Sequence, residues 1–288
     1  MNPPSLMLRR NFPWLGLFSA LFLANCSPVR ESVVKAPTAH HSIRAPQQVR
    51  NPHPDIPTSK LEPARATTSD VCDIVFEGVA FDSRNYRLVV VDQPGGPGTR
   101  FADAADACHS MGGLAAVNAG FFTPEGKPLG WVVSNGKPSG TWNSTSSLGS
   151  GLWLELASGQ SAITRREKTG RLGVASVHEL IQAGPMLVEN GSTVSGLDAA
   201  KSSIRTVLLW DGGSRWWIGR SSACTLSQLA STLNHSQPAG WPVRHALNLD
   251  GGRSADLWIS DAIPGDPITR RTPWNRPVRN FLILMRRL

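Results

Sequence analysis

An α+β domain on a large mixed or mostly antiparallel sheet, with a few short helices, is the fold class this sequence predicts. Three observations point there. Short runs of β-branched, aromatic and aliphatic residues, such as Tyr86–Val91 and Gly151–Leu156, recur between clusters of Gly, Pro, Asn and Asp. Helical spacing of apolar residues is confined to a few short stretches. The chain has 288 residues, 40% of them hydrophobic, which is enough for one sizeable core but not for several large domains.

The first element is a leader. Arg9 and Arg10 precede the apolar run from Phe12 to Ala24, which is too short for a comfortable membrane span and right for the apolar region of a signal peptide. It ends in Leu23-Ala24-Asn25-Cys26, which resembles a bacterial lipobox with Asn25 where Gly, Ala or Ser is usual, and so implies lipidation at Cys26. An uncleaved anchor or ordinary cleavage nearby is the alternative. Residues 27–69 carry Pro28, Pro37, Pro46, Pro52, Pro54, Pro57 and Pro63 among Ser, Thr, Ala and Arg with little periodicity, the composition of a disordered tether. The expected order is therefore a signal segment at 1–26, a tether at 27–69 and a folded body at 70–288.

Within the body, Ile74–Phe76 and Tyr86–Val91 read as strands joined by a turn at Asp82–Asn85, and the Pro/Gly-dense segment 92–98 as a loop. The Ala-rich segment 101–109 reads as a helix closed by Gly112-Gly113. Leu114–Val117 is a short buried strand, 151–156 alternates as a strand should, and 207–218 reads as a hairpin turning at Asp211-Gly-Gly. Leucines at helical intervals mark Thr225–Leu233, and His245–Leu249 and Arg279–Met285 complete the strands.

Four clusters follow or interrupt these strands: Asn118-Ala-Gly120-Phe-Phe122, Gln182-Ala-Gly184-Pro185, Ser203-Ile-Arg205-Thr206 and Asn248-Leu-Asp250-Gly251-Gly252-Arg253-Ser254. Glycine after a buried strand lets a ligand approach the backbone, and the neighbouring amides, Arg and Asp supply hydrogen bonds and charge. Asp211-Gly-Gly, by contrast, has no polar partner cluster and is read as a turn.

In this order the clusters closely resemble the phosphodiester glycosidase family, which includes the animal enzyme that uncovers mannose 6-phosphate and many exported bacterial proteins. The resemblance runs over roughly residues 74–285 and extends to the Gly-containing segment Leu129–Gly136 and the closing Arg276-Pro-Val278 with Asn280. It implies a hydrolase that cleaves the bond between a sugar's anomeric carbon and a phosphate diester. Asn118, Gly120, Gln182, Gly184, Thr206, Gly251, Gly252, Arg253, Ser254 and Asn280 are the implied substrate-binding positions, with Arg253 standing where the family typically has Gly.

The chemistry is consistent with the residue types. A glycosidase acting on an alkoxide leaving group needs two carboxyl groups, and these clusters hold one, Asp250. A phosphate leaves as a weakly basic anion that a cation and backbone N–H groups can stabilise. Asp250 is therefore the expected nucleophile or general base and Arg205 the expected cation, with Gly251-Gly252 offering N–H donors and Asn118 and Gln182 orienting sugar hydroxyls. A buried Arg205–Asp250 ion pair joining two strands is the structural alternative. A non-catalytic envelope module binding phosphorylated glycan is the functional one.

Other classes are disfavoured. The formal charge of +8 resides largely in the leader, the tether and the C-terminal arginines; residues 70–288 hold 21 basic against 18 acidic side chains, with no basic-aromatic motif for nucleic acid. Segment 95–98 lacks the spacing of a dinucleotide or phosphate loop, and Ser144, Ser146 and Ser147 show no triad order. No Cys/His spacing suggests zinc, the clusters lack the carboxylates of a calcium site, and no cofactor is expected. Cys72, Cys108 and Cys224 would permit one disulfide in an oxidising compartment. Trp131, Trp142, Trp241, Trp258 and Trp274 are candidates for sugar stacking, with core packing the alternative for each. The expected partners are thus a phosphorylated carbohydrate and, through a lipid or anchor, a membrane; the expected location is periplasmic or cell-surface.

Overall fold

The computed structural model describes residues 62–169 and 176–287, which belong to one compact unit, Pro57–Leu288. The leader, Cys26 and most of the tether lie outside the described residues.

Among the described residues three sheets form the body, and every strand pairing is antiparallel. The seven-stranded sheet contains, in spatial order, β1 (Arg65–Val71), β2 (Ile74–Asp82), β13 (Arg215–Cys224), β12 (Ser203–Trp210), β14 (His245–Asn248), β10 (Met186–Glu189) and β11 (Ser192–Thr193). A five-stranded sheet runs β16 (Ile268–Arg270), β15 (Leu257–Ile259), β4 (Ala115–Asn118), β17 (Asn280–Arg286) and β3 (Tyr86–Asp92). The other runs β6 (Lys137–Ser139), β5 (Val132–Ser134), β9 (Val177–Ala183), β7 (Gly151–Leu156) and β8 (Ser161–Arg165). The expected mostly antiparallel arrangement is found, but the one large sheet is corrected to three, and the α+β class holds only approximately, because the described residues are largely strand with two α-helices.

Alternation along the strands explains the layering. Leu282 and Leu284 of β17 face a central core shared with Leu208, Leu247 and Ile181 from the other two sheets. Phe281 and Ile283 face outward and are covered by α1 (Ala104–Met111) through Ala104, Ala107 and Cys108. In β12, Leu208 faces the central core while Val207 and Leu209 pack beneath α2 (Leu226–His235) against Leu229 and Leu233. Both faces of these strands are buried, so their sequences read as continuous apolar runs.

Each helix starts where its sequence supplies a cap. Asp103 accepts from the Asp106 N–H, and Thr225 with Gln228 forms a reciprocal capping box.

The tether boundary is corrected as well. Strand β1 begins at Arg65 and pairs along its length with β2. Ala64 is buried, with its N–H donating to the Tyr86 hydroxyl at 3.1 Å. The polar, half-exposed sequence of β1 suits an edge strand, which is why composition alone assigns it to the tether. Cys72, Cys108 and Cys224 are all free thiols, so the disulfide the sequence would permit is not formed among them.

Candidate active site

Two strands from different sheets end side by side, β4 at Asn118 and β14 at Asn248. The chain beyond β14 is stitched to the chain beyond β4, since the Asp250 N–H donates to the Ala119 carbonyl at 2.9 Å. Asn118, fully buried, is the node of this junction. Its Nδ2 donates to the Asp250 carbonyl at 2.6 Å, and its Oδ1 accepts from the Thr206 hydroxyl at 2.7 Å and the Asp256 N–H at 3.1 Å. One amide thereby links β4, β12 and the loop that carries Asp250.

That loop has a shape only glycine permits. A Cβ on Gly251 would lie 2.6 Å from the Ile204 carbonyl oxygen, and Gly252 has φ of +61°. The chain turns back through a short 3₁₀ segment, Gly252–Ser254, and the buried Ser254 hydroxyl reaches the Asp250 carboxylate. Asp250 Oδ1 also accepts from the Gly251 N–H at 2.9 Å. Burial pushes the Asp250 carboxyl up to about 6, against the Ser254 and Gly251 hydrogen bonds and the positive charge of Arg276, which hold it down.

The remaining clusters are gathered around this loop through the backbone. Asn248 Nδ2 donates to the Gly184 carbonyl at 2.8 Å, and the Asn248 N–H to Pro185 at 3.1 Å. Asn280 Oδ1 accepts from the Gly120 N–H at 2.7 Å, and the Ala119 N–H donates to the Asn280 carbonyl. The four clusters and the closing segment thus converge on one region. The backbone of Arg205 is part of it, with its Cα 3.4 Å from the position of a Gly251 Cβ.

The side chains do not all face it. Arg205 shares the parity of Val207 and Leu209 on β12, opposite to Thr206, so its guanidinium lies on the α2 side of the sheet. There it donates to the carbonyls of Lys201 at 2.7 Å and Cys224 at 3.3 Å. The alternative ion pair with Asp250 is not formed, and the guanidinium expected to meet substrate is bonded to these two carbonyls. Arg276, exposed at the rim, is the cation whose charge acts on Asp250.

Gln182 is likewise committed within the protein. Its Oε1 accepts from the N–H groups of Trp131 at 3.0 Å and Asn143 at 2.9 Å, and its Nε2 donates to the carbonyls of Asn143 at 2.7 Å and Gly149 at 2.9 Å. Asn118 and Gln182 therefore hold loops in place instead of orienting sugar hydroxyls. Both are buried inside their own hydrogen-bond networks, where no ligand atom can compete without breaking them. Arg253 is exposed and donates from Nε to the Trp274 carbonyl at 3.1 Å, while its own carbonyl accepts from the Arg276 N–H at 2.9 Å. Its bulk is turned onto the 272–277 loop, which it pins. Asn280 Nδ2 and Asn248 Oδ1 are buried without a hydrogen-bond partner among the described residues, the two amide atoms of the junction left uncommitted.

A family model described as phosphodiester glycosidase matches residues 111–285, more than half of the chain. The chain belongs to the phosphodiester glycosidase family. In this family member the matched span contains every cluster that converges on Asp250. Among solved structures it is similar to the catalytic domain of zebrafish N-acetylglucosamine-1-phosphodiester alpha-N-acetylglucosaminidase, auto-inhibited by its pro-peptide. The identity is 19% and the TM-score 0.56, with 78% of this chain and 83% of that one covered. A hypothetical protein of Synechocystis is similar at 16% identity and TM-score 0.51, covering 77% of this chain and 61% of that chain. A Burkholderia pseudomallei protein whose name assigns it to export is similar at 14% identity and TM-score 0.51, covering 74% of each. At these identities the structural likenesses speak for the fold. No curated protein matches.

Within this glycosidase-family fold, two charged groups near Asp250 escape sequence reading, one acting on it and one structural. Arg276 belongs to a segment the sequence marks as part of the pattern, but nothing local says that its charge reaches Asp250. Asp256, two residues after Ser254, is a second buried carboxylate; its Oδ2 is taken by Arg271 at 2.7 Å and the Ala104 N–H at 3.0 Å, which makes it a structural group. Among the described residues no group of three His, Cys, Asp or Glu side chains is placed to hold a metal, and no helix is long and apolar enough to cross a membrane.

Proposed function

We propose that this protein is an exported hydrolase that cleaves the glycosidic bond of a sugar 1-phosphodiester. Asp250 carries the reading. It is a mostly buried carboxylate, raised to about 6, at the tip of a glycine loop where five segments meet. A group poised there is mostly ionised at neutral pH and basic enough to take a proton from water or to attack the anomeric carbon itself. In the general-base form, the water oxygen bonds to the anomeric carbon as its proton passes to Asp250. The bond from that carbon to the phosphate oxygen breaks, and its electron pair leaves with the phosphate monoester.

The other buried carboxylate near this loop among the described residues, Asp256, is engaged by Arg271 and the Ala104 N–H, so the reaction is read without a second acid protonating the leaving group. A phosphate monoester, with a second pKa of about 6, needs none. Arg276 takes over the role first expected of Arg205, stabilising the departing anion, with the Gly252 and Arg253 backbone beside it. The zebrafish relative, named for acting on N-acetylglucosamine-1-phosphodiesters, supports the reaction class and suggests the first sugar to try. The leader, with Cys26 at its end, and the exported Burkholderia relative support a periplasmic or cell-surface location, with tethering through a Cys26 lipid or an uncleaved anchor.

The test is hydrolysis of N-acetylglucosamine 1-(methyl phosphate), read as release of the free sugar together with methyl phosphate. Cleavage at the glycosidic bond supports the proposal. Release of methanol, or no turnover with this sugar or with a panel of its epimers, would instead leave the site as a glycan-binding surface.

A further inference from the structure

Two tryptophans are left outside the core in a protein that buries Trp153, Trp216 and Trp217 almost completely. Trp142 is 40% exposed and Trp274 64% exposed, the two large hydrophobic side chains so placed among the described residues. Leaving an indole in water forgoes the burial that makes it valuable in a core, so its position calls for another account. The other three candidates for stacking are accounted for: Trp241 is buried in the core beneath α2, Trp258 packs edge-on against His109 with ring centroids 4.4 Å apart, and Trp131 is half-buried against Trp142.

Both exposed tryptophans sit on backbone that is held, and both are joined to the Asp250 loop. On one side, Arg253 clasps the Trp274 carbonyl, and the Arg276 N–H returns to the Arg253 carbonyl. On the other, Asn248 holds the Gly184 carbonyl, and Gln182, two residues before Gly184, holds the N–H and carbonyl of Asn143, next to Trp142. Trp142 is steadied further by an edge-to-face contact with Trp131 at 6.1 Å between centroids. The path Trp274, Arg253, Asp250, Asn248, Gly184, Gln182, Trp142 therefore ties the backbone beside each indole to the loop that carries the carboxylate, from opposite ends of that loop.

Their surroundings are polar: Thr141, Asn143 and Ser144 beside one, Asn275 and Arg276 beside the other. Among the described residues no other large hydrophobic side chain is exposed beside them to build a broad apolar patch for a protein partner. Single indoles among hydrogen-bonding groups suit the C–H face of a pyranose, whose hydroxyls need partners around its edge. The two arginines next to Trp274 suit a phosphate on that sugar.

We infer that Trp142 and Trp274 are stacking platforms for the sugars that flank the scissile bond, and that the substrate class is a repeating sugar-phosphate chain. This rests on the reading of Asp250 as the hydrolytic centre and extends it to the neighbouring units.

The experiment compares the wild type with a Trp142→Ala/Trp274→Ala double variant on two substrates, a chain of poly(N-acetylglucosamine 1-phosphate) and the single-unit methyl phosphodiester. The variant is expected to lose at least ten times more kcat/KM on the chain than on the single unit, with the loss in KM. An equal loss on both, or none on the chain, overturns the inference even where the wild type hydrolyses both. Binding of the chain is measured alongside by affinity electrophoresis, so that a wild type without turnover still gives an answer. Tenfold weaker retardation of the double variant then supports the platforms while the hydrolytic reading fails, and unchanged retardation removes them.

Discussion

Asp250 combines two costs in one side chain, because burial that raises its pKa also makes its ionised form unfavourable in the folded protein. Asp250→Asn keeps the volume and removes the charge, and on the proposed mechanism turnover falls about 10³-fold, roughly 4 kcal/mol in the barrier. The same substitution is expected to raise stability at pH 7 and above. The folded pKa lies above the ordinary value of 3.8, so the wild type loses stability as pH rises from about 4 through about 6. Asparagine escapes that loss, worth about 2–3 kcal/mol for a shift of some two units. Urea midpoints of the two proteins at pH 4 and pH 8 check it, the gap opening only at the higher pH. In kinetics, kcat/KM of the wild type should fall below pH about 6 as Asp250 of the free enzyme protonates.

Arg276 and Arg205 form a second pair of expectations at this scale. Arg276→Gln should reduce kcat/KM about 10- to 100-fold with little change in stability, because the residue is exposed and acts through charge. Arg205→Gln should do the reverse. It leaves two carbonyls short of their donors, costs about 1–2 kcal/mol and leaves the catalytic step largely intact. Parallel chemical unfolding and turnover assays separate the two, and a catalytic defect confined to Arg205 would contradict the placement of its side chain.

At the scale of elements, the loops around Asp250 are set by buried amides, of which Gln182 is the most fully bonded. Gln182 satisfies two donors and two acceptors across segments 131, 143 and 149. Gln182→Glu would aim carboxylate oxygen at the carbonyls of Asn143 and Gly149, and is expected to cost about 3 kcal/mol or more while loosening the loop that carries Trp142. Thermal unfolding reads the first effect and limited proteolysis within 141–150 the second. Asn118→Ala would strip the partners from Thr206, the Asp256 N–H and the Asp250 carbonyl at once. These residues were visible in the sequence as pattern members. Their roles were not, because a buried amide and a ligand-binding amide have the same side chain and differ only in what surrounds it.

For the whole molecule, β1 is the element whose placement most changes how the protein should be handled. Its Thr67 hydroxyl accepts from the Trp217 indole N–H at 2.8 Å, and seven register pairs tie it to β2. Truncation to begin at Asp70 should therefore cost about 2–4 kcal/mol by orphaning that buried donor and baring the β2 edge. Truncation to begin at Pro57 should retain full cooperative unfolding, as followed by tryptophan fluorescence. A buried carboxylate also ties the two five-stranded sheets, and an ion pair fastens neighbouring strands within one of them. Glu179 of β9 accepts from the Val90 N–H of β3 at 3.0 Å, and burial pushes it up to about 7. Asp92 and Arg279 form a bidentate pair at 2.7 and 2.9 Å between β3 and the start of β17.

By itself the sequence determined what depends on local order along the chain. The capped helices, the hairpin at Asp211, the terminal strand that faces a core on both sides, and the order of the four clusters that carries the family membership are all properties of neighbouring residues. Capping, turn chemistry and side-chain alternation act within a few positions and so can be read there. Only the tertiary structure decided how strands divide among three sheets, that Arg65–Val71 joins them, that Arg205 turns away from Asp250 while Arg276 acts on it, and which tryptophans remain in solvent. Each of these is settled by contacts between distant segments, where the parity of a strand and the identity of its neighbours fix which face a side chain shows. Residue type alone carries no record of that choice.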